Sequence, residues 1–296
     1  MPTPKDQARE NIDHLLTRAG WAVRNQNDAN ILAHCGAAIR NFTLKQAHNL
    51  AGSSALKKQF RLDKAVAHIT CVNANLKRYK ATVLKAAVEG KLTEKWRKAY
   101  PDVESASEIL NRILAERWMK WNGKGKYKEP DPPNTNDLPA LPKEDRVWAT
   151  VESLSIKVVD GVHKQPDYVP SGIPFVTVRN LTAGPGSSFE NLNHITVDDH
   201  NQFIRRAHPE RRDILVSKDG TLGVVRVIDT AKVFITFVSV ALVKSVSKGI
   251  SKYLAVALQS PQVQAQMLPK GSGLQHIHLE DLRKGCVPVP PLAEQE

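Results

Sequence analysis

The period of the hydrophobic positions changes along the chain, and each period predicts a different element. Between residues 62 and 86 the repeat is a heptad: Leu62, Ile69, Leu76 and Val83 occupy one seam position and Ala65, Val72, Tyr79 and Ala86 the other. Lys57, Lys58, Lys64, Lys77, Arg78, Lys80 and Lys85 fall elsewhere. Such a seam, about 36 Å long at 1.5 Å per residue, is narrower than the stripe of a globular-core helix and calls for one long helical partner. A coiled-coil helix is therefore expected, ended or kinked at Glu89 and Gly90. A second helix is predicted over 105–121, opened by a Ser105-x-x-Glu108 capping box and carrying Ile109, Leu110, Ile113, Leu114, Trp118 and Trp121. Upstream, 5–19 reads as a short amphipathic helix stopped by Gly20. The stretch 21–50 is mixed, with a strand predicted only at 37–44, and is too small for a core of its own.

Downstream the helical period is lost. Pro130, Pro132, Pro133, Pro139 and Pro142 mark 122–146 as a linker or extended strap. Short β-branched runs then follow at 147–151, 173–178, 213–216, 223–228, 233–236 and 238–243, separated by Gly, Pro and Asn turns. A helix is predicted at 251–258, a helical turn at 262–268 and extended chain at 287–291. The expected class is α+β: a small N-terminal α/β fragment (1–54), a helical spacer (55–121), the Pro-rich linker (122–146) and a mixed, mainly β domain (147–296).

Charge sharpens this division. The formal net charge is +12, from 42 Lys+Arg against 30 Asp+Glu. Residues 55–98 hold 12 basic and 3 acidic side chains, whereas 147–296 hold 16 and 14. The basic excess, which suits a polyanion such as nucleic acid, thus sits on the helix. The longest apolar run, 233–243, is broken by Thr236 and Ser239 and falls short of the ~18 residues of a membrane span. The first residues lack the basic-then-apolar order of a signal peptide, so a cytoplasmic location without a membrane partner is expected. Cys35, Cys71 and Cys286 are too few and too scattered for a disulfide framework or a zinc site.

No catalytic spacing emerges. His276-x-His278 could place two imidazoles on one strand face, but a metal needs a third ligand. The Gly-rich stretch 217–223 (SKDGTLG) has neither the P-loop nor the dinucleotide order and reads as a tight turn between strands. Asp131-Pro-Pro-Asn134 lacks the terminal aromatic that would stack a flipped base. No cofactor, metal or catalytic residue is expected.

Five ordered segments carry a resemblance: 159–168 (VDGVHKQPDY), 172–180 (GIPFVTVRN), 213–223 (DILVSKDGTLG), 271–277 (GSGLQHI) and 287–295 (VPVPPLAEQ). Together they resemble the target-recognition domain of the DNA-specificity subunits of type I restriction-modification enzymes. Residues 75–93 (NLKRYKATVLKAAVEGKLT) resemble the spacer helix of that family. Residues 8–16 (ARENIDHLL), 19–23 (AGWAV) and 36–45 (GAAIRNFTLK), with His48, resemble instead the start of the restriction subunit, without the Asp and E-x-K that would bind its catalytic metal.

The resemblance implies two recognition domains joined by two antiparallel spacer helices, each domain reading half of a split site. With one domain and one helix here, the chain is expected to be a half-length specificity subunit whose seam (Leu62, Ile69, Val72, Leu76, Tyr79, Val83) awaits a partner helix. The implied partners are double-stranded DNA, type I methyltransferase subunits, the restriction subunit and a second copy of this chain. Base or phosphate contacts are expected from Lys164, Gln165 and Tyr168 in the first loop, Arg179 and Asn180 after a strand, Lys218 and Thr221 in the Gly-rich turn, and Lys270, Gln275 and His276 near the end. Asn and Gln suit adenine, Arg and Lys suit guanine, and Gly220, Gly271 and Gly273 would let backbone approach the duplex. Arg205, Arg206, Arg211 and Arg212 form a local cluster that could hold phosphates. The expected function is sequence-specific DNA binding that directs a partner methyltransferase and restriction subunit. The alternative is a fragment that sequesters methyltransferase subunits without reading DNA.

Overall fold

The computed structural model describes residues 14, 22–24, 37–39, 58–121, 125–139, 141, 146–184, 191–269 and 275–295. The chain divides into two compact units, Met1–Ala99 and Tyr100–Glu296. The helix expected over 5–19, apart from His14, and most of the restriction-subunit-like fragment lie outside the described residues.

In the first unit, β1 (Ala22–Arg24) pairs in parallel with β2 (Ala37–Ile39), so the strand expected at 37–44 is seen at its first three residues. The heptad segment forms one continuous helix, α1 (Lys58–Val88). It stops where the sequence places Gly90, whose φ of 75° is open to a residue without Cβ. The Gly90 amide donates to Ala87 and the Lys91 amide to Ala86, the paired reverse bonds of a Schellman cap. A short helix, α2 (Glu94–Ala99), follows, and its Arg97 Nη1 donates to the Gly90 carbonyl at 2.8 Å. Along the seam Ile69, Val72, Tyr79 and Val83 are half-buried and Leu76 is 44% exposed. The Leu62 side chain lies outside the described set.

The second unit opens with α3 (Ala106–Met119), whose capping box forms as expected: Ser105 Oγ accepts from the Glu108 amide while the Glu108 carboxylate accepts from the Ser105 amide. Although 105–121 was expected to continue the spacer, α3 belongs with the sheets that follow it. The reason is Arg117, an arginine buried on the face of α3. Its Nε donates to the Ser155 carbonyl at 3.0 Å, and its Nη1 to the Tyr127 hydroxyl at 2.7 Å. Tyr127 also lies under that guanidinium and edge-on to Trp121. Two contacts of the Pro-rich segment, this one and Cys286 Sγ with the Asn134 carbonyl, make it a strap on the domain.

The strands that follow are short, as their β-branched runs predict. They are β3 (Val147–Thr150), β4 (Ser155–Asp160), β5 (Ile173–Val176), β6 (Asn193–Ile195), β7 (Ile214–Ser217), β8 (Val225–Val227), β9 (Ile235–Thr236), β10 (Val240–Ser245) and β11 (Cys286–Val289). An antiparallel sheet of order β4-β10-β7-β8 forms the centre, with a mixed sheet β6-β5-β9 and the pair β11-β3 beside it. The near-continuous apolar run of β10 is buried on both faces, and Leu242 joins Leu215, Ile228, Phe234 and Leu181 in the main core. Phe175, Ile195, Phe203 and Ile235 form a second core around the mixed sheet.

Helices fill the gaps: α4 (Val178–Thr182), α5 (Val197–Phe203), α6 (Ser251–Leu258), α7 (Pro261–Met267) and α8 (Leu279–Lys284). The helix expected at 251–258 is found at those residues. The short α7 begins with Pro261 at its first position behind Ser260, whose hydroxyl accepts from the Val263 amide. Among the described residues no helix is long and apolar enough to cross a membrane.

Candidate nucleic-acid interface

Five separate segments meet at one end of the central sheet, and backbone hydrogen bonds stitch them together. Where β4 ends, the Gly161 amide donates to Val240 and the Val162 amide to Thr236. In return Val238 donates to Val162, and Phe237 to Val176 at the end of β5. The turn after β7 joins the same set, since Lys218 donates to Ser239 and Ile277 donates to Lys218. The loops carrying Lys164 to Tyr168, Arg179 and Asn180, Lys218 and Thr221, and Gln275 and His276 are thereby linked through neighbouring backbone. They are scattered over more than 100 residues of sequence, and only the strand pairing assembles them.

Lys164, Gln165, Arg179, Thr221 and Gln275 present exposed side chains, and His276 is half-buried. Tyr168 is exposed at one edge while its ring leans on Phe175, with centroids 5.9 Å apart. Lys270 lies outside the described residues, as do Gly271 and Gly273.

Two of the expected readers have structural roles. Asn180 is 9% exposed, and its Oδ1 accepts from the Thr177 amide at 2.9 Å and from the Thr177 hydroxyl, capping the start of α4. The amide of Asn180, expected among the base or phosphate contacts, thus makes a local cap, and the spacing Thr177-x-x-Asn180 is a capping signal. Lys218 keeps its ammonium 3.0 Å from Asp219, with an 11% exposed side chain, so it faces a carboxylate and is mostly covered. His276 and His278 stack edge to face at 4.2 Å, and among the described residues no three His, Cys, Asp or Glu side chains gather to hold a metal.

The first loop has a brace that sequence spacing does not show. Arg206, 46 residues from Asp160, donates from Nη2 to its carboxylate and from Nε to the Gly161 carbonyl at 2.9 Å. His163 Nε2 lies 3.0 Å from the other Asp160 oxygen. Burial pushes the Asp160 carboxyl upward, but the hydrogen bonds and charges of Arg206 and His163 outweigh it and hold the group below its ordinary value. A group so depressed contributes stability above its unfolded value, and this is lost as pH falls through the lower folded value. Asp160→Asn is therefore expected to cost about 1–2 kcal/mol at neutral pH, a modest figure because the Arg206 side chain is half exposed and water screens the pair. The difference between variant and wild type should vanish in acid; a pH-independent difference in urea titrations would refute the ionic brace.

The Gly-rich turn is held from below. Ser217 Oγ accepts from the Val224 amide at 2.8 Å, and Gln264 of α7 donates to the Gly223 carbonyl at 3.1 Å. Gly220 and Gly223 both adopt positive φ, 70° and 72°, as a tight turn between β7 and β8 demands.

Comparison with known proteins adds the following. No curated protein matches the chain. Among solved structures, a type I restriction-modification S subunit from M. genitalium is 18% identical, with 54% of this chain and 37% of that chain covered and a TM-score of 0.34. The HsdS subunit from Thermoanaerobacter tengcongensis is 14% identical over 72% of this chain and 46% of that one, with a TM-score of 0.37. A structure described for the complex assembly and conformational transition of the type I R-M system gives 14%, 72%, 48% and 0.36 for the same measures. The chain spans less than half the length of each of these proteins. Residues 163–296, which take in the greater part of the loop cluster, match the family model of the type I restriction modification DNA specificity domain.

Proposed function

We propose that the chain is a DNA-specificity subunit of a type I restriction-modification system, carrying one target-recognition domain and directing partner methyltransferase and restriction subunits to half of a bipartite site. The observation that carries this reading is the specificity-domain match over 163–296, which coincides with the gathered loops. Exposed Lys164, Gln165, Tyr168, Arg179, Thr221, Gln275 and the half-buried His276 are the side chains through which it would read or grip a duplex. Selection of bound sequences from a randomised duplex pool, by the full chain with and without a type I methyltransferase subunit, tests the reading. An enriched half-site supports it, and an unenriched pool in the presence of bound methyltransferase sinks it.

The long helix supplies the partner surface in this account. Its half-buried seam residues Ile69, Val72, Tyr79 and Val83, with the more exposed Leu76, suit a facing helix from another subunit or a second copy, and the flanking lysines suit an acidic surface. Replacing Lys77, Lys80 and Lys85 together with Ala is expected to weaken methyltransferase capture about tenfold, as three lost rim charges would. Unchanged capture with weaker DNA binding would place those lysines on DNA instead. The same open seam favours the second reading, in which the chain occupies methyltransferase subunits without productive DNA recognition.

A further inference from the structure

Three cations on β10 and the segments 204–213 and 246–250 are paired with carboxylates. Lys244 donates to Glu210 at 2.7 Å and to the buried Asp213 at 2.6 Å, Lys248 donates to Asp213, and Arg206 holds Asp160. Lys157 is half-buried and is not one of them. It lies on β4 directly opposite Lys244 in the strand register, and no carboxylate or other acceptor among the described residues receives it. Like charges directly opposed across a sheet are unfavourable, and burial adds to the penalty. Accordingly burial first, then the charges of Lys244 and Arg206, hold the Lys157 ammonium below the ordinary lysine value. The segment that Lys244 bonds also carries the exposed Arg205, Arg211 and Arg212, the last in the left-handed region at φ 71° with its amide donating to the Ile228 carbonyl at 2.7 Å. A bulky residue held in that region is strained, and such strain gathers where a ligand is met.

We propose that Lys157, with Arg206 close enough to act on its charge, forms a phosphate-binding site that takes a backbone phosphodiester of duplex DNA, further along β4 from the loops that would read bases. This rests on the DNA-specificity reading, and names where the duplex backbone is held. An anion there supplies the counter-charge that the half-buried Lys157 ammonium lacks among the described residues. The contact carries no sequence information.

The test compares full-length wild type, Lys157→Gln and Lys157→Arg in two measurements. The first is affinity for a labelled duplex over a salt series. The Gln variant should bind all sequences equally more weakly, with the slope of log affinity against log salt lowered by about one; Arg should restore it. The second is thermal unfolding in inorganic phosphate against chloride at equal ionic strength. Phosphate should raise the melting temperature of wild type more than that of the Gln variant. In chloride alone the Gln variant should melt at or above wild type, since it sheds an unfavourable charge. Duplex binding with an unchanged slope in the variant overturns this site and leaves the DNA reading standing. A phosphate response without any duplex binding confirms the anion site and overturns both its DNA ligand and that reading. Equal phosphate responses in wild type and variant, with equal slopes, overturn the site altogether.

Discussion

Glu294→Ala should destabilise the second unit by about 3–5 kcal/mol, the cost of stranding a buried charge by removing its partner. Glu294 accepts from Arg146 in a two-pronged pair, at 2.6 and 3.4 Å, and both side chains are 1% exposed. Arg146 precedes β3 and Glu294 lies in the turn after β11, so the pair fastens the two antiparallel strands at one end of that sheet, across 148 residues of sequence. Tyr253 shares this region: its hydroxyl donates to the Pro288 carbonyl, and burial pushes its phenol well above the ordinary value. Without Glu294 the buried guanidinium loses its two-pronged carboxylate, and the β3-β11 pair loses its clasp. For a unit of this size the loss corresponds to roughly 10 °C in melting temperature. Arg146→Met together with Glu294→Leu should recover most of it, because a well-packed apolar pair avoids the desolvation that the ions incur. Chemical denaturation of the four members of this cycle decides the matter. A single variant within about 1 kcal/mol of wild type would show that the pair is not isolated from water as its geometry implies.

That clasp marks the limit of what the sequence could disclose. Elements set by local pattern were legible: the heptad of α1 with its Gly90 stop, the Ser105–Glu108 capping box of α3, and α6 at Ser251–Leu258. The turn of 217–223 between β7 and β8 was also legible, because glycine spacing alone specifies it. Elements set by partners were not. Strand β4 (SIKVVD) shows no clean alternation, since Ser155 and Asp160 are buried by hydrogen bonding to distant residues. The short helices α5 and α8 are only about two turns or less, too brief for a 3.6-residue period to declare itself.

The candidate interface divides along the same line. Gly-rich turns and exposed polar residues pointed to loops that lie together, and their union by the 236–240 backbone is a matter of strand pairing. Residue type alone did not show that the Asn180 amide serves a local cap or that the Lys218 charge faces Asp219. The Arg206 brace joins residues 46 apart, and Lys157 stands out only when the pairing of its neighbours is seen.

Gly161→Ala should be the most damaging small substitution at the loop end, costing about 3 kcal/mol and unfastening the interface with it. An added Cβ would lie 2.0 Å from the Thr236 carbonyl oxygen and 2.4 Å from that of Phe237, both backbone atoms that cannot swing aside. Moving them pulls on the bonds that gather the loops: Gly161 to Val240, Val162 to Thr236, Val238 to Val162, and Arg206 to the Gly161 carbonyl. Gly220→Ala supplies the contrast. There the Cβ meets nothing within 4 Å, and the substitution costs only the left-handed backbone conformation, about 1–2 kcal/mol. Both variants change one hydrogen to a methyl, so their difference isolates steric displacement of the loop junction from backbone preference. Amide exchange should accelerate at Val162, Phe237 and Val238 in Gly161→Ala and stay near wild type at those positions in Gly220→Ala. Sequence preference in the duplex selection should follow the same order, lost in the first and largely kept in the second. Equal exchange at the junction in both variants would mean that the five segments are held by their side chains and not by the shared backbone bonds.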